Sequence, residues 1–396
     1  MRVRFKKADL LPAAGIVQSV ANPQSTLPIL GHVLVSAEHD NVATLVATDY
    51  ETRVRIEVPA EVGKKGRMTV PARNFHDLVK ELPEDTDLTV ESKSKQAFVS
   101  AGRVRAELNT APADDFPPFP EMVPTVEFEM EQRRLKRLLS KILFAVPTRD
   151  PRKVLLGALF EFKDGGLNVV ATDGKILACA RAAVDNRKGP RNFSAIIPHK
   201  MLEELMRNLG DEGLVTAAFD ERQVSFQLGD IKYISNQIEG NYPNYEAVLP
   251  KDYSRRLQFP KQAMLMAIRR ASVLSDIRSL AVTLTFSGSQ VTVEAESVDK
   301  GRIRDEVPAT NDGEEFRITF NHKFVQEALK CIDQDEIRLN ANSPVLPAVF
   351  EGVDESDCMY LVMPIKLTDL RRADEEPEDS APEPVDEEGG GDEEDA

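Results

Sequence analysis

Tryptophan is absent, aromatic residues make up only 6% of the 396, and the chain holds three cysteines and five histidines. Cys179, Cys331 and Cys358 are odd in number, far apart and without CxxC spacing, so neither a disulfide framework nor a zinc site is expected, and the three read as reduced and mostly buried. His32, His39, His76, His199 and His322 show no metal-ligand spacing. No run approaches the ~18 consecutive apolar residues of a membrane span. The opening MRVRFKKADLLPAAG lacks an apolar stretch of signal-peptide length, and Pro12 and Gly15 interrupt it, so a cytoplasmic chain is expected. A glycine-rich phosphate loop, HExxH and GxSxG are all missing, and no catalytic residue, metal or cofactor is expected.

What is present is globular: 41% hydrophobic and 29% charged residues, in a length that favours two or three domains. The net charge of −16 looks hostile to a polyanionic partner. Its distribution says otherwise, because residues 373–396 carry thirteen acids and no base, leaving a net charge of −3 on residues 1–372. That segment is too poor in apolar residues to offset its ordering entropy, and a disordered acidic tail is expected over 368–396.

A long internal period divides the rest. Apolar-x-Phe triplets end at Phe5, Phe128 and Phe259. LVATDYE around Asp49 returns as VVATDGK around Asp173, with a degraded third copy in which Ala295 answers Ala171, and FPPFPEMVP (116–124) returns as YPNYEAVLP (242–250). The linkers cut the chain into domains 1–122, 125–250 and 255–367. Within each copy the pattern runs strand, helix, alternating strands, second helix, more strands. In the first helix of the second copy, Leu135, Leu138, Leu139, Ile142 and Val146 recur at helical spacing while Arg134, Arg137 and Lys141 line another face. Segments such as Thr283 to Phe286 and Val291 to Glu294 alternate as in an antiparallel sheet with one face on helices, so the class is α+β.

The second helix of each copy starts near Pro71, Pro198 or Asn321. Two residues on stand Arg73, Lys200 and Lys323, and seven further Lys80, Arg207 and Lys330. Residues seven apart share a helix face, about 10 Å apart along the axis. On one helix such a pair is an ordinary solvated face. Three pairs in register on a nearly neutral body fit sequence-independent contact with a regular polyanion, duplex DNA, and the lack of interleaved aromatics argues against stacking on single strands.

These repeats, with TLPIL (26–30), VPAR (70–73), ATDG (171–174) and YLVMPIKL (360–367), resemble the bacterial sliding clamp family, the beta subunit of DNA polymerase III, from residue 1 to 367. The resemblance implies a DNA clamp fold: three repeated domains per chain, a head-to-tail homodimeric ring, helices lining a central channel and antiparallel sheets outside. It implies a non-catalytic processivity factor that is cytoplasmic and nucleoid-associated. The implied partners are double-stranded DNA, the polymerase III alpha subunit, the clamp loader delta subunit and other clamp-binding peptides. To the six stripe residues the basic face of the first helix adds Arg134 and Arg137 as DNA-facing, and the resemblance adds the loops of Gln24 and of Arg149, Arg152 and Lys153. It implies a peptide cleft between domains 2 and 3 at Leu155, Thr172, Gly174, Lys175, Ile176, Leu177, Pro243, Ala247, Val248, Val345, Leu361 and Met363, with Asn321, Phe324 and Pro364 at the rim. Lys175, Ile176 and Ala247 replace a histidine and two arginines of the familiar cleft, which makes it more apolar. At the dimer contact it sets Arg103, Arg105 and Leu108 opposite Val273, Leu274 and an acidic edge with Asp299 and Asp305, here thinned by Lys300, Arg302 and Arg304.

Two other readings stand beside this one. Asp49 and Asp173 could be imagined as an acid and base pair of an enzyme, but aspartate in such turns commonly bonds its own backbone. A peptide scaffold that no longer encircles DNA would have no reason to keep the six cations in register.

Overall fold

The computed structural model describes residues 1–366 apart from 94, 95, 164, 185, 191, 312, 355 and 356, and the side chains of 186 and 187; the acidic tail expected from the sequence lies outside the described residues. Six α-helices occur among the described residues: α1 (Lys7–Val20), α2 (Ala72–Glu81), α3 (Gln132–Ile142), α4 (His199–Asn208), α5 (Lys261–Leu274) and α6 (His322–Cys331). The order repeats three times: a strand entering the first helix, three strands, a short extra strand, a strand entering the second helix, then three more strands. The fold is α+β with three domains, and the helices pair within each third as α1 with α2, α3 with α4 and α5 with α6.

Helix starts are set locally. Pro71, Pro198 and Pro260 are the residues immediately before α2, α4 and α5, outside the first turn. There the ring's fixed φ suits the extended cap and its missing N–H costs nothing. Asn321 starts α6 instead, its side chain accepting from the Lys323 amide at 2.9 Å. The apolar stripe of α3 is buried as the spacing requires. Lys141, read as part of the solvated basic face, is not: its side chain is only 3% exposed.

All strand ladders in the described residues are antiparallel, in four sheets. A five-stranded sheet lies wholly in the first third and a four-stranded sheet wholly in the last, while two nine-stranded sheets cross from one third to the next. Strand Ile231–Asn236 of the second third pairs with Thr52–Pro59 of the first, and strand Cys358–Val362 of the third pairs with Ile176–Ala183 of the second. Inter-domain continuity is therefore made of backbone hydrogen bonds. The core between sheets and helices is aliphatic with an aromatic knot in the second domain, where Phe128, Phe162 and Phe219 lie 5.1 to 6.1 Å apart.

Candidate functional site

The two crossings use one register. In the first, Ile231 faces Ile56, Tyr233 faces Val54 and Ser235 faces Thr52; in the second, Ala180 faces Cys358, Ala178 faces Tyr360 and Ile176 faces Val362. Each ends on the same extra bond, Asn236 N to Glu51 O at 3.0 Å and Met363 N to Lys175 O at 2.8 Å. In both cases the last strand of one domain joins the third main strand of the preceding one. One strand of each kind is left at a sheet end: Val104–Asn109, last in the first domain, and Gly301–Pro308, third in the last domain. Arg103, Arg105, Val273 and Asp299 are exposed near these edges, and Leu108, Leu274 and Asp305 half-buried. Asp305 turns inward to Arg270 of α5 at 2.5 Å, while Arg302 and Arg304 bond Glu294 and Glu306 on the sheet's other face.

Arg73, Lys80, Arg207, Lys323 and Lys330 are exposed on the second helices, and Lys200 is half-buried. Their partners differ. Arg207 lies 3.2 Å from Glu204 and 3.8 Å from Glu203, Lys330 bonds Glu327 at 2.6 Å, Arg73 is 3.8 Å from Asp77, and Lys200 reaches across the domain boundary to Asp49. Lys80 and Lys323 make no ion pair among the described residues. Gln24 and Arg149 are exposed on loops. Arg152 forks onto Asp150 at 2.9 Å through two nitrogens and also bonds Asp173 O at 3.1 Å. That fork, with the Arg152 amide, holds the Asp150 carboxyl down at about 2. Arg134 is half-buried on α3.

Arg137 is engaged elsewhere. It bonds Asp333 at 2.7 Å and lies 3.1 Å from Asp357, both in the third domain, and buried Lys141 reaches the same two acids at 2.8 and 2.5 Å. Burial opposes the Lys141 charge, and the bonds to Asp333 and Asp357 outweigh it, so its pKa ends above the ordinary lysine value. This lock across domains 2 and 3 escaped the sequence, because its members lie about 190 to 220 residues apart with no local signature.

Leu177 and Leu361 face one another across the second crossing, 3% and 4% exposed, and belong to an outer apolar cluster with Val349 and Tyr245 that also packs Tyr242 and Leu249. Pro243, Ala247, Val248, Val345 and Met363 are exposed around them, as are Gly174 and Lys175 on the turn before Ile176. Leu346, next to Val345 in the chain, is half exposed and was not singled out from the sequence. Leu155, Ile176 and Pro364 are buried, and Phe324 packs half-buried on the main core. Thr172 braces the turn, its hydroxyl donating to Ile176 O at 2.6 Å and accepting from Gly174 N at 3.0 Å, and Asn321 is occupied in capping α6. A cavity of about 570 Å3 adjoins Tyr242 and Pro243, with Glu161, Arg222 and Glu246 among its walls.

Asp49 and Asp173 are turn residues. Each Oδ1 accepts from the amides two and three residues on, at 3.0 and 2.7 Å for Asp49 and at 2.7 and 2.9 Å for Asp173. They sit in separate domains. No group of three or more metal-ligating side chains occurs among the described residues, and no described helix is long and apolar enough to cross a membrane.

Three sequence families match in succession: the N-terminal domain of the DNA polymerase III beta subunit at residues 1–120, its central domain at 129–244 and its C-terminal domain at 246–366. The beta sliding clamp of Pseudomonas putida is 30% identical over 372 residues, covering 93% of this chain and all of that protein, and that of Escherichia coli K12 is 31% identical with the same coverage. A crystal structure of a DnaN sliding clamp from Pseudomonas aeruginosa bound to griselimycin superposes with a TM-score of 0.89 at 29% identity, covering 93% of this chain and 100% of that one. With three domains in that order, one sheet register reused at both crossings and full-length relatives at this identity, the chain belongs to the DNA polymerase III beta subunit family, the bacterial sliding clamps.

Proposed function

We propose that two copies of this chain close head to tail around duplex DNA and tether the replicative polymerase to it, without catalysis, through a ring of six domains bounded at 1–122, 125–250 and 255–367. The observation that carries the reading is the pair of leftover strand edges. Carrying the internal register over to them sets Val104 opposite the partner's Asp305, Ala106 opposite the partner's Ile303, Glu107 opposite the partner's Arg302 and Leu108 opposite the partner's Gly301. A two-fold operation makes this contact twice, so these two edges of both chains are consumed.

Inside the ring the basic residues of α2, α4 and α6 face phosphates. Several already hold acidic neighbours at 2.6 to 3.8 Å, so their phosphate contacts exchange one counter-charge for another and stay weak. Weak, sequence-independent contact inside a closed ring allows sliding while topology prevents escape. On the outer face, Leu177 and Leu361 form the floor and Val248, Val345, Leu346 and Met363 the rim of an apolar cleft for short peptides of the polymerase alpha subunit, the clamp loader delta subunit and repair proteins. The ring works in the cytoplasm on the nucleoid.

The test is retention on nicked circular DNA after loading by a cognate clamp loader, followed by linearisation. Release on cutting is the expected outcome. Persistence on the linear product means adhesive binding and rejects the ring. Replacing Arg73, Lys80, Lys200, Arg207, Lys323 and Lys330 with glutamate is expected to abolish stimulation of the polymerase while the dimer persists; unchanged stimulation rejects the channel assignment.

A further inference from the structure

The described chain ends in a defined place. Met363 N bonds Lys175 O and Ile365 N bonds Thr319 O, both at 2.8 Å, so residues 363–365 are stitched between a turn of the second domain and the strand that enters α6 of the third. Lys366 therefore emerges three residues past the one bonded to Lys175 and one past the residue bonded to Thr319, which itself stands four residues before Lys323. Arg152, whose guanidinium bonds Asp173 O, brings the 149–153 loop against the same turn, adding the exposed Arg149 and Lys153. Arg152 itself is neutralised by Asp150. The others, Arg149, Lys153, Lys175 and Lys323, make no ion pair among the described residues.

The acidic run begins at Asp374, eight residues past Lys366, and carries thirteen carboxylates without a compensating base. Eight extended residues span at most about 28 Å, whereas the four residues from Thr319 to Lys323 span at most about 14 Å. The cations at the exit are thus within reach of the first acids, at an effective concentration of the order of millimolar.

We propose that residues 374–395 dock on this cationic rim as an internal mimic of the DNA phosphate chain, and that duplex DNA must displace them to engage Arg149, Lys153 and Lys323. The contact is a set of solvated ion pairs, individually weak and screened by salt. It therefore suppresses casual binding to DNA ends and surfaces at low ionic strength and gives way once the ring is threaded. The proposal deepens the channel reading, since Arg149 and Lys323 belong to the proposed DNA-facing set.

Two measurements on the full chain separate the proposal from that reading. Zero-length carbodiimide coupling followed by peptide mass spectrometry is expected to join acids of 374–395 to Lys175, Lys323 and Lys153 of the same chain, and to lose those links near 1 M salt, where screening acts within about 3 Å. Links spread over the surface lysines in proportion to exposure overturn the docking, whatever the ring does. Anisotropy titration of a labelled linear duplex is expected to give about tenfold tighter binding after truncation at Arg372 in low salt, and in a chain whose thirteen tail acids are replaced by Asn and Gln. The two curves are expected to converge as salt rises. In Lys175→Gln/Lys323→Gln chains the effect of truncation is expected to fall below threefold. If truncation acts as strongly there, long-range repulsion and not docking is responsible; if truncation alters affinity for a clamp-binding peptide and not for duplex, competition with DNA is rejected.

Discussion

Arg55 and Lys232 stand directly opposite each other across the seam between the first and second domains, two cations in a position where like charges ordinarily weaken a strand pair. The seam tolerates them because Arg55 leans along its own strand to Glu57 at 2.9 Å. The edge strand Gly301–Pro308 repeats the arrangement, with Arg304 turned to Glu306 at 3.3 Å. In the proposed ring Arg304 would meet Arg105 of the partner subunit as Arg55 meets Lys232, and Glu107 would supply the opposite charge for Arg302. The basic residues that thin the acidic edge thus fit a contact the chain already makes internally.

That correspondence fixes a register, which a covalent probe can read. A chain carrying Ala106→Cys and Ile303→Cys places the two thiols on directly opposed residues of the two subunits, within the Cα separation of about 4.4 to 6.8 Å that a disulfide accepts. Mild oxidation is expected to give a covalent dimer with two cross-links per ring on non-reducing gels. Ala106→Cys with Arg302→Cys puts the thiols on opposite faces of the sheet and is expected to stay uncoupled. The reverse pattern means a slip of one residue.

The inter-domain lock makes an asymmetric prediction. Changing Asp333 and Asp357 to Asn leaves the buried Lys141 ammonium without a counter-charge and is expected to cost about 3 kcal/mol. Lys141→Met removes the buried charge itself and is expected to cost much less, because Arg137 still neutralises the two acids. Urea unfolding followed through the second and third domains checks both, and equal losses refute the account. The pH dependence has a sign. Burial works against ionised Asp333, but its bonds to Lys141 and Arg137 prevail and bring its pKa below the ordinary 3.8. Its contribution is therefore present above that value and is lost as pH falls through the lower folded one. Asp333→Asn is expected to converge with the parent chain only in that acid range.

What the sequence made legible follows from what is local. The repeat, the helix caps at Pro71, Pro198 and Asn321 and the Asp49 and Asp173 turns each rest on residues close in the chain. So does the apolar stripe of α3, where helical period alone separates Leu135, Leu138, Leu139 and Ile142 from the rest. Lys141 defeats that logic because helical spacing fixes which side a residue lies on and not what another domain brings there. Arg137 likewise looks like a channel cation from its spacing, and only Asp333 and Asp357 reveal its engagement. At the cleft, Leu177 and Leu361 are 184 positions apart, and no period along the chain announces that a strand register pairs them. Leu346 was overlooked for a plainer reason, since a single exposed leucine in a loop carries no pattern.

The junction of the first two domains holds a buried acid whose replacement is expected to help. Glu204 of α4 is 1% exposed; its Oε2 lies 2.8 Å from Ser19 Oγ of α1, and its Oε1 is 3.2 Å from Arg207 Nη2 without hydrogen-bond geometry. Burial pushes its pKa up, against the opposing pull of Ser19 and Arg207. Ser19 has one hydroxyl proton and two acceptors in range, Glu204 Oε2 and Ile16 O at 2.7 Å, so an ionised Glu204 leaves one of them short. In Glu204→Gln the amide donates to Ser19 Oγ, the hydroxyl goes to Ile16 O, and the amide oxygen faces Arg207. Because the folded pKa is raised, the native state holds its proton more tightly than the unfolded chain, and stability falls as pH rises from the ordinary 4.5 through the folded value. The glutamine has no such loss. Glu204→Gln is therefore expected to be more stable than the parent at neutral pH, by about 1 kcal/mol, and to match it below about pH 4.5. Thermal unfolding across that range decides the matter: a variant that is less stable at neutral pH would mean that the Arg207 attraction outweighs the burial of the carboxylate.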